Sequence, residues 1–80
     1  MDCIRLHILS PEGTMADVKA ELVELPGTLG RFEVLRNHAP LISSTEAGVI
    51  RYVQAGESHE IECPAGFVEV RDNCVTVCVG

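Results

Sequence analysis

The chain has 80 residues, of which 46% are hydrophobic and 22% are charged, as in ordinary folded domains. Such a length allows one domain, which we predict to span residues 1–80. Twelve acidic residues against six basic ones give a formal net charge of −6, so the chain lacks the basic face that binding to nucleic acid requires. No stretch approaches the roughly 18 apolar residues of a membrane span, and the amino terminus does not resemble a signal peptide. Composition therefore predicts a small soluble, intracellular domain.

Short alternations of apolar and polar residues, separated by turn residues, run along the chain and predict β-strands. The first covers residues 4–8. Residues 15–25 alternate less regularly, and we favour a strand with a β-bulge near residues 19–22 over a helix of the good helix formers 16–22. The remaining predicted strands are 32–35, 41–45, 49–54, 58–63, 67–71 and 74–79. About eight to ten short strands predict an all-β domain, either a β-sandwich or a flattened barrel.

Two irregular segments interrupt the predicted strands. Residues 26–30 contain Gly27-Thr28-Leu29-Gly30, which lacks the Lys-Ser/Thr and the following helix of a phosphate-binding loop and is therefore predicted to be a turn. In residues 36–40, Asn37 can adopt a left-handed backbone, and Pro40 restricts the residue before it.

The sequence contains no recognisable catalytic or metal-binding motif, and we predict neither a cofactor nor a metal. The histidines at positions 7, 38 and 59 lack the spacing that places two on one helical face, and no nucleophile elbow is present. A cluster of Glu57, Glu60 and Glu62 is typical of a solvated edge strand protected by charge.

Four cysteines occur at spacings that fit neither a zinc site nor a dense disulfide framework, namely Cys3, Cys63, Cys74 and Cys78. We expect mostly buried, free thiols. A cross-strand bridge from Cys74 or Cys78 to Cys3 or Cys63 remains an open alternative.

One segment is less ordinary than the rest. Arg31 and Arg36 lie within six residues of each other in an acidic chain, and His38 to Ile42 place apolar residues directly after an irregular loop. Loops that combine charge with exposed apolar groups often contact partners. The residues alone leave an interface and simple packing equally open.

This segment belongs to a longer run, LPGTLGRFEVLRNHAPL from Leu25 to Leu41, which resembles the signature loop of the epsilon subunit of F-type ATP synthases. Further similarity follows in GVIR from Gly48, GFVEV from Gly66 and NCVTV from Asn73. The resemblance implies a ten-stranded β-sandwich and a non-catalytic rotor subunit of the central stalk, which links gamma to the c-ring and couples proton flow to ATP synthesis. It also implies a peripheral position at the cytoplasmic face of the bacterial inner (plasma) membrane, through the complex alone.

The same resemblance assigns two contact regions and no catalytic or nucleotide-binding residue. The gamma-facing residues would be His38, Ala39, Pro40, Leu41, Ile42, Ser43 and Ser44. The loop facing the c-ring would be Gly30, Arg31, Phe32 and Glu33.

The chain departs from the family pattern at three places. Arg31 stands where many relatives have Glu, so that Glu33 is the available acidic partner, and Arg36-Asn37 replaces the usual Pro-Gly before the histidine. The sequence ends at Gly80, where longer relatives continue into a helical hairpin that carries inhibition. We therefore expect coupling without inhibition. The main alternative is a free-standing β-sandwich that binds another protein through the His38 loop.

Overall fold

Nine β-strands form the fold of the computed structural model, which describes residues 3–80. In chain order they are β1 (Ile4–Ser10), β2 (Gly13–Ala20), β3 (Leu22–Gly27), β4 (Gly30–Val34), β5 (Leu41–Thr45), β6 (Gly48–Gln54), β7 (Glu57–Cys63), β8 (Gly66–Arg71) and β9 (Cys74–Val79). Within residues 3–80 there is no helix long and apolar enough to cross a membrane. The all-β prediction is confirmed, whereas the described residues form nine strands and not the ten that the resemblance implied.

The segment 15–25 is extended, as predicted, but it forms two strands rather than one bulged strand. β2 ends at Ala20 and β3 begins at Leu22, so the chain bends at Glu21. The register irregularity lies in the pairing of β1 with β2, between Ile8 and Leu9. The inward apolar residues change from even-numbered positions in β2 to odd-numbered positions in β3. The physical reason is that β2 and β3 pair with different neighbours, so the chain crosses at Glu21 from one half of the sheet to the other.

All nine strands belong to one sheet that folds over on itself. Its order is β2-β1-β9-β8-β5-β3-β6-β7, with β4 paired to β3, and among residues 3–80 only β1 and β9 are parallel neighbours. We call β2, β1, β9, β8 and β5 layer A, and β4, β3, β6 and β7 layer B. The layers join where Gly27 pairs with Thr45, the one registered pair between β3 and β5 in the described part of the chain.

The opposite side of the fold is closed by hydrogen bonds around the bend at Glu21. Its backbone amide donates to the Val53 carbonyl at 2.8 Å, and Gln54 Nε2 donates to the Lys19 carbonyl at 3.1 Å. The Glu21 carboxylate accepts the Ala55 amide at 3.1 Å, which holds the turn between β6 and β7. These bonds bring β2 of layer A against β6 of layer B.

The core lies between the two layers and consists mainly of aliphatic side chains at alternate strand positions. Strand geometry places residues i and i+2 on one face, so each strand contributes two or three inward side chains. The largest fully buried side chains are Ile4, Leu6, Ile8, Val23, Leu25, Val34, Ile50, Val68, Val70, Val75 and Val77. Every intervening position is left to face outward.

Gly66 begins β8, where the backbone of β9 passes very close. A Cβ atom at this position would overlap the carbonyl oxygen of Cys78, which is fixed in the sheet. At Gly48, by contrast, a Cβ would lie 3.6 Å from the Cβ of Pro26, an ordinary contact. The absence of a side chain is therefore required at Gly66 and not at Gly48.

The variant Gly66→Ala should lower the free energy of unfolding by about 2 kcal/mol or more, because backbone and not a movable side chain must shift. The matched variant Gly48→Ala should change it by less than about 1 kcal/mol. Urea unfolding followed by circular dichroism measures both, and equal stability of the two variants would contradict the close approach.

Candidate functional site

The outward face of layer A carries an apolar patch, which we define as Leu9, Ile42, Phe67 and Cys78. Ile42 is 77% exposed and Phe67 is 66% exposed, while Cys78 is exposed and Leu9 is half-buried. In the sheet register, Phe67 lies opposite Cys78, which in turn lies opposite Leu9. Exposed apolar side chains that adjoin one another mark contact surfaces more often than scattered ones do.

β5 forms the edge of the patch. The predicted gamma-facing residues on this strand alternate between its inward and its outward face. Leu41 is partly buried and packs against the core, whereas Ile42 points outward. Ser44 also points outward, opposite Phe67, and its hydroxyl lies 2.8 Å from the Thr28 hydroxyl. Ser43 is half-buried, and its hydroxyl donates to the Ser44 carbonyl at 3.0 Å. Along this strand, only alternate residues can meet a partner.

The loop between β4 and β5, residues 35–40, contains a β-turn. The His38 amide donates to the Leu35 carbonyl at 3.2 Å, and Asn37 occupies the third turn position with φ of 66°. The left-handed backbone predicted for Asn37 is confirmed. His38 is half-buried, with its Nδ1 2.7 Å from the carbonyl of Ala39, and Ala39 and Pro40 are exposed.

The turn between β3 and β4 consists of Thr28 and Leu29 and forms a tip at the other end of β4. Leu29 is fully exposed, and Gly30 follows with φ of 128°. Phe32 packs against the core, so of the four predicted c-ring residues Gly30, Arg31 and Glu33 are at the surface. The tip and the 35–40 loop are separated by the five residues of β4, about 17 Å of extended chain.

A charged cluster occupies the outward face of layer B, opposite to the apolar patch. Glu24 Oε1 accepts Arg31 Nη2 at 3.1 Å and Arg51 Nε at 3.4 Å, and Arg31 also donates to the Val49 carbonyl at 2.9 Å. The hydrogen bond from Arg31, followed by that from Arg51, lowers the pKa of Glu24. In the sheet register, Glu33 on β4 lies opposite Glu24 on β3. Arg31 is therefore drawn back over the sheet, and Glu33 points outward.

The cysteines are free thiols, but most of them are not buried. Only Cys63 is buried, and this burial raises the pKa of its thiol. Cys3 and Cys74 are half-buried and Cys78 is exposed, because the alternation of β9 gives the inward positions to valines. The prediction of mostly buried thiols is therefore wrong.

The histidines are distributed over separate parts of the sheet. His59 stacks on Tyr52 with ring centroids 5.1 Å apart, between β7 and β6. Among residues 3–80, no three His, Cys, Asp or Glu side chains are placed to share a metal ion. Glu57, Glu60 and Glu62 are exposed on β7, which pairs with β6 at the end of the sheet order. They contribute charge to an edge strand.

Three residues of the apolar patch, Leu9, Phe67 and Cys78, were not among the predicted contact residues. Parity alone could have placed them on the outer face, since Phe67 and Cys78 alternate with buried valines in β8 and β9, and Leu9 follows a buried isoleucine in β1. Their position relative to Ile42 depends on distant segments of the chain. The pairing of β5 with β8 places Phe67 diagonally across from Ile42, which lies opposite Glu69, and the pairing of β8 with β9 places Cys78 one strand further away.

Lowering the pH should weaken the cluster around Glu24. Because folding lowers the pKa of this carboxyl, its stabilising contribution is complete above the ordinary value of 4.5 and is lost as pH falls through the folded-state pKa. We expect wild type to be more stable than Glu24→Gln at about pH 6 and the difference to shrink towards about pH 3.

Urea unfolding at both pH values measures the effect. In an Arg31→Gln background, which removes the first cause of the shift, Glu24→Gln should cost less at the higher pH. A difference between wild type and Glu24→Gln that is independent of pH would contradict the role of the ion pairs.

Comparison with known proteins places these features in a family. Residues 3–80 match the family described as ATP synthase, Delta/Epsilon chain, beta-sandwich domain. The ATP synthase epsilon chain of Desulfitobacterium hafniense is 53% identical over 72 residues, which cover 90% of this chain and 54% of the relative. That of Pelotomaculum thermopropionicum is 42% identical over 73 residues, covering 91% and 54%. The chain thus spans about half the length of the curated relatives it matches.

Solved structures share the fold at low sequence identity. A chain of the Euglena gracilis mitochondrial ATP synthase, in a structure of OSCP, F1 and the c-ring, superposes with a TM-score of 0.89 at 16% identity, covering 99% of this chain and 51% of that one. A chain of the Tetrahymena thermophila enzyme, in a structure of the central stalk and c-ring, gives 0.77 at 12% identity, covering 94% and 61%. The match over residues 3–80 identifies the chain as a member of the ATP synthase delta/epsilon family, in its β-sandwich domain.

Proposed function

We propose that residues 1–80 form the β-sandwich domain of a non-catalytic epsilon-type subunit in the central stalk of a proton-translocating F-type ATP synthase. In this role the domain links gamma to the c-ring and helps to couple ion flow to ATP synthesis. It lies at the cytoplasmic face of the bacterial plasma membrane and is attached only through the complex. The relatives named ATP synthase epsilon chain support this proposal.

The single observation that carries the gamma contact is the apolar patch beside the 35–40 loop. Ile42 and Phe67 expose large apolar side chains on the outward face of layer A, where their removal from water by a protein partner would favour binding. The patch spans the four neighbouring strands β5, β8, β9 and β1, and Ile42 at its edge follows the 35–40 loop by two residues, so we treat loop and patch as one interface. We assign gamma as its occupant, because the family resemblance implies a gamma contact at the His38 segment.

The tip is proposed to meet the polar loops of the c-ring. It exposes Leu29, Gly30 and Glu33, while the charge of Arg31 is held close to Glu24. A ring loop that approaches the tip therefore meets an outward carboxylate, and Glu33 is the acidic partner. Because tip and 35–40 loop lie at opposite ends of β4, the domain can contact both partners simultaneously.

Replacing Ile42 with Asp should weaken gamma binding at least about tenfold, because a charge would be desolvated against an apolar partner. The domain should keep its stability, since Ile42 points into solvent. Isothermal titration with the gamma subunit from the same source measures the affinity, and urea unfolding measures the stability.

Two further variants act as controls. Leu41→Asp, on the opposite face of β5, should unfold the domain, because Leu41 packs against the core. Leu29→Asp places the same charge on a fully exposed leucine at the tip and should leave gamma affinity unchanged. Failure of the wild-type chain to bind gamma would favour the free-standing binding module, and unaltered binding by Ile42→Asp would remove the patch from the interface.

A further inference from the structure

Two asparagines from distant parts of the chain form a clasp. The Asn37 amide donates to Oδ1 of Asn73 at 2.6 Å, and Nδ2 of Asn73 donates to Oδ1 of Asn37 at 3.3 Å. Both residues have a left-handed backbone, with φ of 66° and 58° respectively. Asn37 lies in the 35–40 loop, whereas Asn73 lies in the turn between β8 and β9. We call this pair the asparagine clasp.

The Asn73 end of the clasp is held by the sheet. Its backbone carbonyl accepts the Arg5 amide at 2.9 Å, which extends the parallel pairing of β1 with β9. The same residue therefore satisfies one bond of the sheet with its main chain and one bond of the loop with its side chain. Through Asn73, hydrogen bonds thus connect the 35–40 loop to β1 and to the turn between β8 and β9. These three strands belong to the layer that carries the apolar patch.

The Asn37 end needs such support. A β-turn with a positive φ at its third position is most favourable with Pro second and Gly third, because these residues restrict or permit the required backbone. Here the positions are Arg36 and Asn37. The turn holds one backbone bond, from the His38 amide to the Leu35 carbonyl, and the clasp supplies the next bond to the adjacent amide.

We propose that Asn73 is a positioning residue for partner binding: through the clasp it fixes the 35–40 loop in the conformation that gamma recognises. This inference rests on the proposed function. The clasp bonds of Asn73 go to Asn37 and not to the apolar patch. Any effect of Asn73 on the affinity for gamma would therefore act through Asn37. A loop that is fixed before binding loses less conformational entropy on association, so the clasp should raise affinity without adding a contact.

The test compares variants that share the turn but differ in the clasp. Asn73→Gly keeps the positive φ and removes both clasp bonds, and it should weaken gamma binding about five- to tenfold. Asn73→Asp keeps the acceptor of the 2.6 Å bond and should restore affinity to within about twofold of wild type. Asn37→Gly keeps its amide donor and loses only the 3.3 Å bond, so a smaller loss of about twofold is expected.

Asp72→Gly is the matched control. Asp72 precedes Asn73 in the same turn with φ of 51°, so the change to glycine relieves the same kind of backbone strain without removing a clasp atom. Its gamma affinity should equal that of wild type. A loss as large as that of Asn73→Gly would show general disruption of the turn and would overturn the inference.

Amide exchange of the isolated domain, measured by NMR, tests the clasp without gamma. The Asn37 amide should exchange about tenfold faster in Asn73→Gly than in wild type, and Asn73→Asp should restore its protection. Unchanged Asn37 exchange, or gamma affinity equal to wild type in Asn73→Gly, would overturn the inference. If wild type itself does not bind gamma, the proposed function fails, and Asn37 exchange alone still decides whether the clasp holds the loop.

Discussion

The alternation of side chains along short strands is the constraint on which this structure depends. A chain of 80 residues has material for one apolar layer, and the fold-over of a single sheet places that layer between its two halves. Isoleucine, leucine and valine fill the inward positions almost completely. Because β-geometry then turns every second side chain outward, roughly half of each strand is released from packing and can carry recognition.

The two outward faces use this freedom differently. Layer A exposes Ile42 and Phe67 in addition to the ion pair of Arg5 with Asp17. In the described part of the chain, the strands of layer B expose no large apolar side chain and carry the ion pairs of Glu24 with Arg31 and Arg51. Covering exposed apolar side chains with a partner lowers the free energy because it removes apolar surface from water. A charged face whose hydrogen bonds are satisfied is stable in water. In the proposed function this asymmetry would orient the domain, with layer A towards gamma, layer B towards solvent and the tip at Leu29 towards the ring. The proposed contacts with gamma and with the c-ring would thus lie on different parts of one sheet.

The strands and the left-handed Asn37 could be predicted because they follow from local chemistry. Alternation needs only neighbouring residues, and asparagine tolerates positive φ by itself. The crossing at Glu21 was mistaken for a bulge, since both produce the same change of parity and only pairing distinguishes them. Phe67 and Asn73 escaped prediction for a related reason: their roles arise from neighbours more than 20 residues away, Ile42 and Asn37, that the sheet topology brings together. Sequence alone contains no local signal for such juxtapositions.

Hydroxyl-radical footprinting of the domain, free and bound to gamma, can identify the gamma-binding face, because it reports the exposure of individual side chains without a substitution. We expect Phe67 and Ile42 to lose most of their reactivity in the complex, whereas Leu29, which is more exposed than either in the free domain, keeps it. Two results would contradict the assignment of layer A as the gamma-binding face. One is that Phe67 and Ile42 remain as reactive in the gamma complex as in the free domain, and the other is that only Leu29 is protected.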